Sequence, residues 1–105
     1  MSKDILQQLD EVLAARKNGD AQQSYVAGLY QGGADAIVRK IGEEAIETVV
    51  AGKNGQPDQM IHEVADLWFH TLVLLAYFDL SSSAVLGELE RRFGLSGLEE
   101  KSQRK

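Results

Sequence analysis

One break divides the two longest helical patterns of this sequence. It reads Asn54-Gly55-Gln56-Pro57 and contains the only proline of the chain. Asparagine followed by glycine favours a turn, and proline lacks the backbone N–H that a helix interior requires. Apolar residues recur at helical spacing on both sides of this segment, which therefore predicts an antiparallel hairpin of two long helices.

Apolar residues recur at helical spacing in the rest of the chain as well, and this pattern predicts an all-α fold. Caps, breaks and apolar spacing give the expected bounds of the helices. They are Ser2 and Gly19 for the first helix, and Ser24 and Gly32-Gly33 for a short second one. The hairpin helices are expected from about Ala34 to Lys53 and from Asp58 to Phe78, and the last helix from its cap Ser81 to Gly94.

The two hairpin helices differ in how their apolar residues are distributed. The second is apolar almost all round beyond His70, and a helix of this kind lies at the centre of a bundle or at a subunit interface. The first has a single apolar face, which consists of Ile37, Val38, Ile41, Ala45 and Val49.

The length of 105 residues suits one domain with one core. We expect residues 1–94 to form that domain and residues 95–105 to be a charged, mobile tail. The expected architecture is a bundle of roughly four to five helices completed by homodimerisation, with Trp68, Phe69 and Leu72–Leu75 in the core or in the dimer contact.

Composition excludes several classes of function. The 16 acidic residues outnumber the 11 basic ones, which argues against binding to a nucleic-acid backbone, and the absence of cysteine excludes disulfides and thiolate chemistry. The start of the chain lacks the apolar stretch of a signal peptide. The longest run without charge, Leu67 to Phe78, is about 12 residues and too short to cross a membrane. We therefore expect a cytoplasmic protein without a membrane or nucleic-acid partner.

Two pairs of acidic residues carry the strongest chemical signal. Glu44 and Glu47 lie three residues apart in the first hairpin helix, and Glu63 and Asp66 lie three apart in the second. Residues at this spacing share a helix face, where like charges repel each other unless a cation joins them. Across a hairpin centred on Gly55, Glu47 is level with Glu63 and Glu44 with Asp66, so the two pairs are placed to converge on one site.

The ligand chemistry narrows the choice of cation. Ligands that are all carboxylates select a hard cation, with Mg²⁺ as the natural choice and Mn²⁺ as the second. A di-iron site of the ferritin type requires Glu-x-x-His on two helices, which this sequence lacks. His62-Glu63 begins a zincin-like His-Glu-x-x-His motif, but Asp66 stands in the last position and the motif fails. Mg²⁺ on carboxylates usually accompanies a phosphate substrate.

These residues also have simpler interpretations. Glu44 and Glu47 could form a solvated helix face, and Lys40 could make an ordinary surface salt bridge to Glu44. His70, level with Lys40 across the hairpin, could be a buried histidine with satisfied hydrogen bonds. The second acidic pair is harder to explain in this way, because its helix offers no other formal charge from Met60 to Phe78.

Two runs of the sequence resemble the phosphoribosyl-ATP pyrophosphohydrolase family: Lys40-Ile-Gly-Glu-Glu-Ala-Ile-Glu47 and Glu63-Val-Ala-Asp-Leu-Trp-Phe-His70. That family is the histidine-biosynthesis branch of the all-α nucleoside-triphosphate pyrophosphatases, the MazG-like superfamily. The similarity covers most of the chain and includes Ser24-Tyr-Val, the turn Lys53-Asn-Gly55 and the run from Ser96 to Lys101.

The resemblance implies a helical homodimer that uses Mg²⁺ as cofactor. Its reaction would be hydrolysis of phosphoribosyl-ATP to phosphoribosyl-AMP and pyrophosphate, the second step of histidine biosynthesis. By motif match, the metal ligands would be Glu44, Glu47, Glu63 and Asp66. The family also occurs fused to a cyclohydrolase domain, for which 105 residues leave no room, so the stand-alone form is expected.

The remaining roles are hypotheses about the reaction. A carboxylate would accept the proton of the attacking water, and cationic side chains would bind the substrate phosphates. The candidates are Glu47 or Glu43 as the base, Lys40, Lys53 and Arg39 for phosphate, and His70 as an auxiliary residue.

Two other functions remain open at the level of sequence. A house-cleaning nucleoside-triphosphate pyrophosphatase of the MazG-like type would use the same carboxylates with a different nucleotide pocket. A non-catalytic helical dimerisation module would need only packing, and its stability would not respond to Mg²⁺ and nucleotide.

Overall fold

The computed structural model describes residues 3–93, and in this part of the chain every regular element is a helix. The all-α expectation is confirmed. Ser2, Gly94, the expected tail over residues 95–105 and the run from Ser96 to Lys101 lie outside the described residues. The helices are α1 (Ile5–Ala15), a short 3-10 helix (Arg16–Asn18), α2 (Tyr25–Asn54), α3 (Pro57–Tyr77) and α4 (Ser82–Arg92).

The start of α1 differs from the expectation. Asp4 rather than Ser2 occupies the N-cap, where its carboxylate accepts the N–H of Gln7 at 2.8 Å. Aspartate is as good a cap as serine, and Asp4 lies directly before the first apolar residue of the helical pattern. At the other end, the 3-10 turn extends the helical path beyond Ala15 to the predicted stop at Gly19.

The predicted break at Gly32-Gly33 is a kink within one continuous element. Ser24 caps α2 as expected, since its Oγ accepts the N–H of Ala27 at 3.2 Å. Gly33 has φ 78° and ψ −173°, so two helical segments meet there at a backbone conformation that residues with a side chain avoid. The kink sets the direction of the first segment, which carries Tyr25 and Tyr30, relative to the long hairpin helix.

The hairpin is confirmed, and its turn residues act as the sequence predicted. Gly55 ends α2 in the left-handed conformation (φ 71°), and Pro57 occupies the first turn of α3. Thr48 Oγ lies 2.8 Å from the carbonyl oxygen of Glu44 and 3.3 Å from that of Glu63 on the facing helix. Position 48 therefore lies beside position 63, within one residue of the predicted register.

The core lies where α1, α2 and α3 meet. Its largest fully buried side chains are Leu13, Ile37 and Val73, one from each helix. The hydroxyl of Tyr30 donates to the carbonyl oxygen of Leu13 at 2.8 Å and ties the first segment of α2 to the end of α1.

The buried face of α2 is rotated relative to the predicted apolar face. Ile37 is buried and Ile41 and Ala45 are partly buried, as expected, but Val38 and Val49 are 47% and 65% exposed. The fully buried positions follow the seven-residue spacing of Ile37, Glu44 and Ala51. A charged residue occupies a core-facing position of this helix, so apolar spacing alone misplaced the face.

A residue of α1 caps α4 from outside the helix. Ser81 stands at the N-cap as predicted, but its hydroxyl is 2.7 Å from that of Ser83 and caps no backbone N–H. Instead, Asp10 accepts the N–H of Ser82 at 3.0 Å and the Ser82 hydroxyl at 2.6 Å. The α1 carboxylate thereby supplies the N-terminal hydrogen bond that the sequence assigned to Ser81.

Within residues 3–93, no helix taken singly has the length and hydropathy needed to cross a membrane. The pair of α3 and α4, bent by 109°, meets these criteria only when both are counted together.

Candidate active site

Four carboxylates meet at the seam between α2 and α3. Oxygen atoms of Glu44, Glu47 and Glu63 lie within 4.8 Å of one another, and so do ligand atoms of His62, Glu63 and Asp66. The two groups share Glu63. We call Glu44, Glu47, Glu63 and Asp66 the carboxylate cluster. The hairpin register brings together the four residues that the paired spacing singled out.

Glu44 is the most constrained member of the cluster. The residue is 6% exposed, and its Oε2 atom has no hydrogen-bond partner among the described residues. Burial raises the pKa of the Glu44 carboxyl, the carboxyls of Glu47 and Asp66 raise it further, and Lys40 lowers it. When ionised, a buried carboxyl group with one oxygen unpartnered destabilises the fold, so its burial points to a ligand that balances its charge.

Lys40 is the cation nearest to the buried carboxylate. Its Nζ atom lies 3.6 Å from Glu44 Oε1 and 3.4 Å from Glu43 Oε1, one turn along α2. The predicted salt bridge to Glu44 therefore forms. The pKa of Lys40 is raised by Tyr25 first and by Glu43 next. One ammonium group shared with Glu43 does not balance four carboxylates, which leaves the cluster with an excess of negative charge.

His70 is a buried histidine whose ring nitrogens both have partners. Nδ1 lies 2.8 Å from the carbonyl oxygen of Asp66, and Nε2 lies 2.7 Å from the hydroxyl of Tyr25. A carbonyl oxygen only accepts, so Nδ1 carries the proton and Nε2 of the neutral ring accepts the Tyr25 hydroxyl proton. His70 thus links the start of α2 to the turn of α3 that carries Asp66.

Tyr25 is not among the candidate site residues of the sequence analysis. Its side chain borders the site: burial raises the pKa of its hydroxyl, the nearby Lys40 lowers it, and Glu44 and Asp66 raise it. No spacing rule relates it to the cluster, since it lies 45 residues from His70 in sequence. The one available signal was its place beside the cap residue in the Ser24-Tyr-Val run.

The other predicted residues differ in their distance from the cluster. Glu43 is half exposed and paired with Lys40. Arg39 is exposed and precedes Glu44 by five residues, which places it about 140° around the helix from that side chain. Lys53 lies in the last turn of α2, about 9 Å along the axis from Glu47. The fold keeps Lys40 beside the cluster and sets Arg39 and Lys53 at its periphery.

His62 lies on the solvent side of the cluster. Its Nε2 atom is 3.5 Å from Asp66 Oδ2 and 3.7 Å from Glu63 Oε1, and its side chain is 73% exposed. The failed zincin motif removed this residue from the sequence-based candidates. In the structure, His62 contacts Glu63 and Asp66 of the carboxylate cluster within one turn of α3.

An apolar groove of about 540 Å³ runs beside the cluster between α1 and α3. Leu6 and Leu9 of α1 line one side, and Trp68 and Leu72 of α3 line the other. Asp66 also borders the groove, which therefore brings one member of the cluster to an apolar surface.

Known proteins are similar to this sequence over nearly its whole length. The profile of the phosphoribosyl-ATP pyrophosphohydrolase family matches residues 6–93. A phosphoribosyl-ATP pyrophosphatase from Hydrogenovibrio crunogenus is 55% identical, over 99% of this chain and 96% of the relative. Relatives of the same name from Burkholderia ambifaria and Burkholderia vietnamiensis are 55% and 54% identical, over 99% of this chain and 89% of each relative.

Proposed function

Because the chain belongs to the phosphoribosyl-ATP pyrophosphohydrolase family, we propose that it hydrolyses phosphoribosyl-ATP to phosphoribosyl-AMP and pyrophosphate. This is the second step of histidine biosynthesis. Two findings support this substrate above other nucleoside triphosphates: the family match over residues 6–93 and the 55% identity to a phosphoribosyl-ATP pyrophosphatase over 99% of the chain.

The observation that carries the catalytic proposal is the unpartnered oxygen of Glu44. One buried oxygen of this carboxylate lacks a hydrogen bond, and the carboxylate forms, with Glu47 and Glu63, a group whose ligand atoms lie within 4.8 Å of one another. This arrangement fits a hard divalent cation. We propose Mg²⁺ as that cation and Glu44, Glu47, Glu63 and Asp66 as its ligands. A Mg²⁺ ion held there would supply Lewis-acid stabilisation for phosphate oxygens and lower the pKa of a water nucleophile.

Side chains of this protein would accept the proton of the attacking water and offset the negative charge of the substrate phosphates. Glu47 and Glu43 are both exposed and are the candidates to accept a proton from the attacking water. Lys40, which already contacts the cluster, is placed to offset negative charge on the substrate phosphates. Arg39 and Lys53, at the periphery, would meet more distant parts of the same polyanion.

His70 has a positioning role in this proposal. Its hydrogen bond to the carbonyl oxygen of Asp66 fixes the turn of α3 that carries one proposed ligand. Its second bond, to Tyr25, holds a hydroxyl at the edge of the site. The residue acts through these two partners and not by contact with the reacting atoms.

The functional unit is proposed to be a homodimer. Large apolar side chains on both hairpin helices are more than half exposed in the single chain, among them Ile46, Val49, Ile61 and Trp68. Large apolar side chains exposed in this number are typical of an interface. We place the enzyme in the cytoplasm, acting on a small nucleotide without a nucleic-acid or membrane partner, in keeping with its acidic, cysteine-free composition.

A substrate panel tests the proposal directly. Pyrophosphate release is measured from phosphoribosyl-ATP and from the standard deoxynucleoside triphosphates, each with and without Mg²⁺. We expect Mg²⁺-dependent release that is fastest with phosphoribosyl-ATP. Faster hydrolysis of the deoxynucleotides would favour a house-cleaning enzyme, and the absence of hydrolysis with every substrate would favour a dimerisation module.

A further inference from the structure

We propose that His62 adds an imidazole ligand to the solvent side of the carboxylate cluster and creates a site for a borderline divalent cation such as Co²⁺ or Zn²⁺. Its ligands are His62, Glu63 and Asp66. The inference deepens the proposed function, on which it rests for the nature of the cluster. With His62 as a ligand, the chain would also bind cations that carboxylates alone do not favour.

The geometry of one turn of α3 supports this assignment. Ligand atoms of the three residues lie within 4.8 Å of one another, with Nε2 of His62 at 3.5 Å from Asp66 Oδ2 and 3.7 Å from Glu63 Oε1. All three side chains project from the same helical turn. The site therefore needs adjustment of side chains only, and the 73% exposed imidazole is free to make it.

A second observation shows that the region is built for a ligand. Glu44 Oε2 is buried and lacks a hydrogen-bond partner among residues 3–93, and Glu44 meets the His62 group through their common neighbour Glu63. The region thus has an all-oxygen half, formed by Glu44, Glu47 and Glu63, and a half formed by His62, Glu63 and Asp66 that contains one nitrogen donor. Glu63 belongs to both halves.

The two halves differ in the cations they favour. Mg²⁺ prefers oxygen ligands and retains several water molecules, so an imidazole adds little to its binding. Imidazole nitrogen suits Zn²⁺ and other late first-row cations better, and affinity for such ligands rises from Mn²⁺ to Co²⁺. Replacing His62 should consequently weaken binding of a borderline cation while leaving binding of Mg²⁺ nearly unchanged.

The test is calorimetric titration of untagged, metal-free protein with CoCl₂ and, separately, with MgCl₂. Wild type, His62→Gln and a control, Gln59→Ala, are compared; Gln59 is an exposed residue of α3 outside the cluster. We expect His62→Gln to weaken Co²⁺ binding by about 10-fold or more and to change Mg²⁺ binding by less than about twofold. The control should match wild type in both titrations.

A spectroscopic measurement on the wild-type chain makes the test independent of how the variant folds. The sequence has two histidines, so imidazole nitrogen resonances in ¹H–¹⁵N spectra belong to His62 or His70. Addition of Zn²⁺ should shift the Nε2 resonance of His62 and leave that of His70, which bonds Tyr25, much less affected.

Equal Co²⁺ affinity in wild type and His62→Gln, or an unshifted His62 resonance in Zn²⁺, would overturn the proposal. The outcome is separable from that of the enzymatic proposal. Binding of Co²⁺ that depends on His62, in a protein that does not hydrolyse phosphoribosyl-ATP, would support this site and contradict the proposed function.

Discussion

Glu44 stands at a position where helix packing would ordinarily place an apolar side chain. It follows Ile37 and precedes Ala51 at seven-residue spacing, and all three residues are buried. An apolar residue there would stabilise the hairpin, whereas a carboxylate without a partner destabilises it. A bound cation would compensate the charge of Glu44. In the metal-free protein, the uncompensated charge should lower the free energy of unfolding.

We predict that the free energy of unfolding of the metal-free protein falls as pH rises above 4.5, the ordinary pKa of a glutamate. Burial raises the Glu44 pKa in the folded state, so between 4.5 and the raised value the folded state binds more protons than the unfolded state. Stability contributed by the protonated group is therefore lost across that window. The measurement is urea unfolding in EDTA over a series of pH values.

Glu44→Gln is the matched control for this pH dependence. Glutamine keeps the shape of the side chain and cannot ionise, so the variant should lose less stability over the same pH window. Mg²⁺ should stabilise wild type at neutral pH and have little effect on the variant. Parallel pH curves for the two metal-free proteins would show that Glu44 carries no such penalty.

Individual residues of the site were predictable to different degrees. The four carboxylates could be found from spacing because a helix places residues three apart on one face, and a hairpin with a marked turn pairs equidistant positions. Tyr25 could not, because its contact with His70 depends on the direction that the kink at Gly33 gives to the start of α2. His62 was set aside because the motif test looked only for a histidine partner, although Asp66 is an adequate one.

At the scale of helices, α4 is held by a contact that joins two distant parts of the chain. The Asp10 carboxylate of α1 accepts both the N–H and the hydroxyl of Ser82, 72 residues away. The apolar residues of α4 are largely exposed in the single chain, among them Val85, Leu86 and Leu89. Asp10 therefore has a large share in docking this helix.

Substitution Asp10→Ala is predicted to lower the free energy of unfolding by about 1–2 kcal/mol, the usual cost of losing a side-chain cap. Ser81→Ala provides the control, since Ser81 occupies the N-cap position but its hydroxyl bonds only Ser83 among the described contacts. Urea unfolding followed by circular dichroism measures both. A loss from Ser81→Ala as large as that from Asp10→Ala would contradict the assignment of the cap to Asp10.

The order and type of the helices followed from the sequence, and the misplacements have identifiable causes. The hairpin was predictable because Asn54-Gly55 and Pro57 act locally. The cap of α4 was not, because its partner lies in another helix. The buried face of α2 was rotated in the prediction because Glu44, a polar residue, occupies a position that apolar spacing counts as outside the core.

The whole molecule leaves a large part of its apolar surface uncovered in the single chain. Ile46 and Val49 of α2 and Ile61 and Trp68 of α3 are each between 59% and 68% exposed. The same apolar surface includes Met60 and Val64, which lie beside Trp68 along α3. A second copy of the chain is the occupant expected for surface of this kind.

We predict a molar mass of twice 11.5 kDa by light scattering after gel filtration. Trp68 is the only tryptophan of the chain, so its emission reports on this surface alone. The emission should be blue-shifted in the dimer and move to the red when Trp68 is exposed by dilution. A mass of 11.5 kDa with Trp68 emission typical of water would contradict the dimer.

In the proposed function, the carboxylate cluster holds the cation needed to cleave phosphoribosyl-ATP. The most direct measurement is pyrophosphate release by wild type and Glu44→Gln, with and without Mg²⁺, with circular dichroism as the check on folding. We predict turnover that requires Mg²⁺ and falls by at least about 100-fold in the variant, since even indirect partners of metal ligands cost about 10- to 100-fold. Turnover without Mg²⁺, or a folded Glu44→Gln variant with the wild-type rate, would contradict the claim.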